Sequence, residues 1–153
     1  MPNYWLMKSE PDAFSIDDLI RQGASPWDGV RNYQARNFMK EMQVDDLVFF
    51  YHSSCKPAGI VGIAKVTRCA YPDHTSWDPS SAYYDPKSTP ESPRWFMVDI
   101  ELVEKFPALI PLSTLKQDPA LAEMLLVKKG SRLSVMPIQK NEFQHIISTT
   151  HYA

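Results

Sequence analysis

Apolar positions fall into short blocks whose period changes along the chain. Tyr4-Trp5-Leu6-Met7-Lys8 is an apolar run closed by Ser9-Glu10-Pro11, and proline has no N–H to give a ladder, so a strand and a turn are predicted. Phe14 to Ile20 predicts a short helix, with Ser15 as cap, Asp17 and Asp18 in the first turn where negative charge suits the helix dipole, and Gly23 at its end. From Asn32 the period turns helical: Ala35, Phe38, Met39 and Met42 fall at i, i+3, i+4 and i+7, with Asn32 as cap. A Val44-Asp45-Asp46 turn leads to Leu47-Val48-Phe49-Phe50-Tyr51-His52, rich in β-formers and too short for a helix, hence a buried strand. Ile60 to Val66 predicts another, in which Gly62 and Ala64 leave one face thin, as fits a tightly curved sheet or a close backbone approach. Phe96, Val98, Ile100 and Leu102 alternate against Trp95, Asp99 and Glu101, the clearest strand in the chain.

Between the last two, residues 69–93 are polar, broken by five prolines, and carry Trp77, Tyr83 and Tyr84. Long structureless connections are uncommon in compact domains and disordered ones are poor in aromatics, so an ordered loop over a site is expected. Pro111 to Lys116 and Ala120 to Leu126 read as short helices split by Asp118-Pro119, Ser131 to Pro137 as a strand, and Lys140 to Ile147 as a last helix before a tail. With no βα repeat and no internal repeat, the order of elements predicts an α+β fold: a small mixed barrel surrounded by short helices.

Length and composition narrow the function classes. The 153 residues suit a single domain over 1–153, expected to be monomeric. A net charge of -2 excludes a blanket electrostatic grip on nucleic acid, so any such binding needs a local patch. Cys55 and Cys69 are too few for a disulfide framework, and neither a basic-then-apolar leader nor a long apolar run is present, so a cytoplasmic protein with no membrane contact is expected. No His-Glu-x-x-His or paired Cys-x-x-Cys occurs and the five glycines stand singly, so neither metal nor cofactor is expected. There is no Gly-x-Ser-x-Gly elbow either; His52, with Asp28 as partner, is the base that an enzymatic reading would use, and a non-enzyme is preferred.

The densest chemistry lies in Trp27-Asp28-Gly29-Val30-Arg31-Asn32-Tyr33, where two aromatics, a carboxylate, a cation and an amide stand at the start of a helix. Those types suit a pocket for something planar and polar; equally, Trp27 and Tyr33 read as core aromatics around an ordinary Asp28-Gly29 turn. A flipped or single-stranded base is held by stacking and by hydrogen bonds to its edge while cations hold flanking phosphates. On that reading Trp27, Tyr33, Tyr51 and Trp95 supply faces, Ser9, Asn32 and Ser53 edge contacts, and Lys8, Arg31, Arg36, Lys56 and Arg132 a cationic rim. A domain that binds a small heterocycle for regulation is the remaining alternative.

Residues 4–11, 27–37, Phe50-Tyr51-His52-Ser53, Gly59-Ile60-Val61-Gly62, Tyr84-Asp85-Pro86-Lys87 and Arg132-Leu133-Ser134-Val135 closely resemble the EVE domain, found in the thymocyte nuclear protein family and many bacterial relatives. The resemblance implies a PUA-like fold related to the YTH readers of methylated adenosine. It also implies a pocket for a modified base, cytosine in DNA for some members and a base in RNA for others. Carried over by position, the pocket is lined by Lys8 and Ser9, by the run Trp27, Asp28, Gly29, Val30, Arg31, Asn32 and Tyr33, and by Tyr51, His52 and Ser53, to which Trp95 and Arg132 are added. Two departures stand out: Asp45-Asp46 where relatives often have Gly-Asp, and Met136 where many have Gln. Asp tolerates a left-handed turn, so the fold is expected to survive the first; the second alters ligand preference if that position faces the pocket.

Overall fold

A computed structural model describes residues 3–128 and 133–150. Six strands, β1 (Tyr4–Ser9), β2 (Ala24–Trp27), β3 (Leu47–His52), β4 (Gly59–Pro72), β5 (Phe96–Pro111) and β6 (Val135–Ile138), form one mixed sheet in the order β2-β5-β4-β3-β1-β6. β1 runs parallel to β3 and the other pairs are antiparallel. Register shifts at four points between β4 and β5 curl these long strands, as bulges do. Gly62 lies where that curvature is tight: a Cβ there would stand 2.4 Å from the Glu104 carbonyl oxygen.

Both faces of the sheet are covered, which is why Leu47 to Tyr51 is continuously apolar instead of alternating. On one face, helices α1 (Ile16–Gln22) and α2 (Tyr33–Glu41) close a core containing Trp5, Met7, Leu19, Met39, Phe50, Val98 and Ile100. On the other, α3 (Leu112–Gln117) and α4 (Lys140–Thr150) close a second core around Leu6, Phe49, Phe106, Met124 and Phe143. This is the α+β, PUA-like architecture implied by the resemblance.

Local signals were read correctly where they were self-contained. Ser15 and Asp18 form a reciprocal capping box, and Asn32 Oδ1 accepts the Ala35 N–H at 2.9 Å to start α2. Ala35, Met39 and Met42 are fully buried and Phe38 packs against them. Asp45 adopts φ 76, the left-handed turn expected of it, while the neighbouring Asp46 carboxylate, buried, accepts from Trp5 Nε1, the Gln43 N–H and the Asn3 N–H, each at 2.9 Å.

Several boundaries differ from the sequence reading. β2 forms despite Pro26, which argues against a strand, because it is the sheet's edge, where a missing N–H is tolerated. β4 runs to Pro72, where it pairs with the start of β5, so the expected 69–93 loop loses its first residues to a hairpin arm, and β5 itself runs on to Pro111. Residues 120–126 form no helix: two 3-10 turns, Pro119–Leu121 and Leu125–Val127, flank Met124, whose extended backbone buries its side chain. β6 begins only at Val135, and Ser131 and Arg132 lie outside the described residues. α4 continues to Thr150, through the residues read as a tail. Met136 is fully buried in the second core with Leu6 and Phe49, so the departure there bears on packing.

Candidate nucleic-acid interface

Where β1 ends and β2 passes into α2, the chain leaves an open cleft of about 660 Å³. Its walls come from Lys8, Ser9, Glu10, Ala13 and Phe14 after β1, from Gln22, from Ser25 through Arg31, and from Tyr83 and Ser134. Trp27 is the aromatic base of this cleft: 7% exposed, it packs edge-on to Phe50 at 5.3 Å and to Phe14 at 6.3 Å between ring centres. Trp27 is thus both core and lining, and the two readings of it are not exclusive.

Polar groups converge on the same space. Ser9 Oγ donates to the Phe14 carbonyl at 2.6 Å, which leaves its oxygen able to accept. Lys8 makes no ion pair among the described residues, and burial pushes its ammonium below the usual lysine range. Asp28 stands at the rim, and among the described residues it bonds to no other side chain; burial first, and then the Asp73 charge, push its carboxyl above the usual range.

Arg31 does not reach freely into solvent. Its guanidinium donates to the Tyr83 carbonyl through Nε at 2.9 Å and Nη2 at 2.8 Å, to Asp73 Oδ2 at 3.0 Å and to Thr75 Oγ1 at 3.2 Å. Asp73, fully buried, also accepts the Gly29 N–H at 2.9 Å and the Thr75 N–H at 2.9 Å. Burial alone would raise the Asp73 carboxyl, but the bonds from Thr75, Gly29 and Arg31, with the Arg31 charge, hold it below the ordinary carboxylate range. This carboxylate therefore ties residues 73–83 to the Gly29–Arg31 turn. Beyond it, Ser76 and Ser88 share a buried hydroxyl contact at 2.9 Å and Trp95 Nε1 donates to Asp85 at 2.7 Å, so the segment after β4 is ordered by its own polar bonds.

Gly29 is required for that closure. It sits at φ 80, and a Cβ there would lie 2.7 Å from the Tyr83 ring. Gly29→Ala should cost about 1–2 kcal/mol for the left-handed backbone and swing Tyr83 off the cleft. Thermal melts and Tyr83-dependent quenching of a bound fluorescent ligand would check this; a melt unchanged from wild type would contradict it.

Of the site residues expected from sequence, Lys8, Ser9, Trp27, Gly29, Val30 and Arg31 line the cleft together. Asn32 is committed to capping α2. Tyr33 lies outside the lining, half exposed and stacked on Trp95 at 4.8 Å with the Arg36 guanidinium 4.7 Å from its centre. Tyr51 is buried in the second core, with the Lys8 ammonium 5.6 Å from its ring centre. His52 Nε2 accepts the Ile16 N–H at 3.1 Å and Ser53 N–H donates to the Ser9 carbonyl at 2.9 Å, so both support the β1 end of the cleft without lining it. Trp95 is likewise outside the lining, and Arg132 lies outside the described residues. Asp28 joins the lining from within the Trp27–Tyr33 run, Phe14, Tyr83 and Ser134 join it from outside the expected residues, and Asp73, the organising carboxylate behind it, carried only the weak signal of an Asp-x-Thr turn.

His52 gives a pH handle. Burial, ahead of the opposing Asp17 charge, holds its imidazole below the usual histidine range, and accepting from Ile16 requires an unprotonated Nε2. A folded-state value below the unfolded one means stability is fully present above the unfolded pKa near ~6.5 and is lost as pH falls through the folded value. Melting temperature should therefore drop on acidification below that point, and His52→Asn, whose amide oxygen can still accept, should flatten the dependence in a pH series of melts.

The EVE domain model matches residues 3–149. The chain belongs to the EVE domain family. Mouse thymocyte nuclear protein 1 is 45% identical over 97% of this chain and 74% of its own length. A solved Pseudomonas syringae protein superposes with a TM-score of 0.94 at 52% identity, covering 96% of this chain and 99% of that one. The crystal structure of human THYN1 protein in complex with 5-methylcytosine containing DNA superposes with a TM-score of 0.91 at 41% identity, covering 97% of each chain. Among the described residues no group of three or more His, Cys, Asp or Glu is placed to hold a metal, and no helix is long and apolar enough to cross a membrane.

Proposed function

We propose that this EVE domain is a non-enzymatic reader of modified cytosine in DNA, and that the base enters the Trp27 cleft. The observation that carries the reading is the cleft itself: an open space of base-accommodating size, floored by an indole and edged by groups of both hydrogen-bonding senses, in a relative of a protein solved with 5-methylcytosine DNA. Trp27 stacks on the base. Asp28, an acceptor, suits the exocyclic amino group of cytosine, while Lys8 suits its ring nitrogen or carbonyl oxygen. The edge contacts thus pass from Asn32, whose amide caps α2, and Ser53, which lies outside the lining, to Lys8, Ser9 and Asp28. An enzymatic role for His52 is disfavoured because its Nε2 already accepts from Ile16.

The test is equilibrium binding of oligonucleotides differing at one position: 5-methylcytosine, cytosine, thymine and a modified RNA counterpart, at fixed salt. Preference for the modified cytosine strand supports the reading; equal binding of all strands overturns it. Asp28→Asn adds a distinct signature. Because the fold disfavours the Asp28 charge, removing it should leave the melting temperature unchanged or higher at neutral pH, while preference for cytosine over thymine falls. A joint loss of stability and binding would contradict this role.

A further inference from the structure

The outer face of α2 carries cations that the fold leaves unneutralised. Tyr33, Arg36 and Lys40 fall at i, i+3 and i+7 on that helix, and Arg94, just before β5, reaches Tyr33 Oη with Nη1 at 3.2 Å. Arg36 donates to the Arg94 carbonyl at 2.9 Å and to Asn37 Oδ1, which uses three of a guanidinium's N–H donors and leaves others free. Lys40 is exposed, its ammonium 4.8 Å from the centre of the Phe96 ring. Among the described residues none of these three cations is in an ion pair. Asp85, the carboxylate that feels the Arg94 charge, is occupied by Trp95 Nε1 and the Lys87 N–H.

This face is continuous with the cleft. Arg31, which lines the cleft, holds its guanidinium 5.7 Å from the Tyr83 ring centre and 5.5 Å from that of Trp95, on which Tyr33 stacks. In a chain of net charge -2, three unpaired cations set along one helix face beside a base-sized cleft form a concentrated positive strip. Arginine in particular matches phosphate oxygens with paired N–H donors.

We propose that Arg36, Lys40 and Arg94 form a phosphate track that grips the backbone of the DNA strand whose base occupies the cleft; this rests on the reader function proposed above. The track positions the strand and carries no information about the base, so its loss weakens modified and unmodified strands alike.

Fluorescence anisotropy with matched 5-methylcytosine and cytosine oligonucleotides across a salt series tests it, using wild type, Lys40→Gln, Arg94→Gln, the triple Gln variant and the charge-conserving Arg36→Lys. Each neutralised cation should flatten the slope of log affinity against log salt by about 0.7–0.9, with the preference for 5-methylcytosine retained. Arg36→Lys should keep the wild-type slope. Lys40 is an exposed helix position whose substitution leaves the core untouched, so its result stands even where the triple variant folds poorly. Wild-type slopes in Lys40→Gln and Arg94→Gln, with the preference intact, would overturn the track and leave the reader standing. Wild-type protein that binds neither strand would defeat the reader and the track together.

Discussion

Trp27→Ala should weaken binding of a 5-methylcytosine oligonucleotide by roughly 5- to 150-fold, the equivalent of about 1–3 kcal/mol for one lost stacking face. The same substitution empties space between Phe14 and Phe50, so it should also lower stability by about 3–5 kcal/mol. Because binding and folding fall together, Trp27→Phe separates them: a smaller ring keeps most of the packing and a stacking face, so stability should recover more fully than affinity. The measurement is a pair of curves, denaturant unfolding and oligonucleotide binding, for the three proteins. Affinity of Trp27→Ala equal to wild type under conditions where it is folded would contradict a base seated on this indole.

Asp73→Ala should be the most damaging change away from the cleft surface. It removes the acceptor for Gly29, Thr75 and Arg31 at once and leaves the Arg31 guanidinium, 22% exposed, without its buried counter-charge. Breaking a buried pair from one side costs about 3–5 kcal/mol, a fall in melting temperature of roughly 6–20 °C for a chain of this size. The pH dependence has a fixed sign. A carboxyl held below its unfolded value contributes stability that is present above about pH 4 and lost as pH falls through the folded value, so wild type should lose this contribution in acid and Asp73→Asn should lack it. Differential scanning calorimetry between neutral pH and acid checks both. Binding should fall too, since Tyr83 is held over Gly29 by the Arg31 bridge that Asp73 anchors.

What could be read from the sequence divides by distance along the chain. The start of α2 was legible because cap and apolar face lie within ten residues, and the Asp45 turn because the residue type itself tolerates the conformation. Trp27 and Gly29 were legible as chemistry. That Tyr33, four residues beyond Gly29, leaves the lining to stack on Trp95 depends on a residue more than sixty positions away. Asp73 and Tyr83 stand more than forty residues from Gly29 and Arg31, and nothing local marks them as partners. β2 was hidden by Pro26, whose tolerance depends on its being an edge, a property of the whole sheet.

The same division explains the site. Type and spacing pointed to a stacking pocket, but Tyr51 and His52 sit at the end of a strand whose side chains alternate between faces, with Ser53 just beyond it, so adjacent residues part company. Tyr51 went to the second core, His52 to the start of α1 and Ser53 to the Ser9 backbone. What remains is a cleft with fewer aromatic faces than the sequence offered, Phe14, Trp27 and Tyr83, and with Asp28 as an acceptor at its rim.

A crystal structure of the protein with an oligonucleotide carrying a single 5-methylcytosine should show the modified base extruded from the strand into the cleft, its ring against Trp27 and its amino group within hydrogen-bond distance of Asp28. Well-ordered DNA bound elsewhere on the molecule, with the base still in the strand and the Trp27 cleft filled only by solvent, would contradict it.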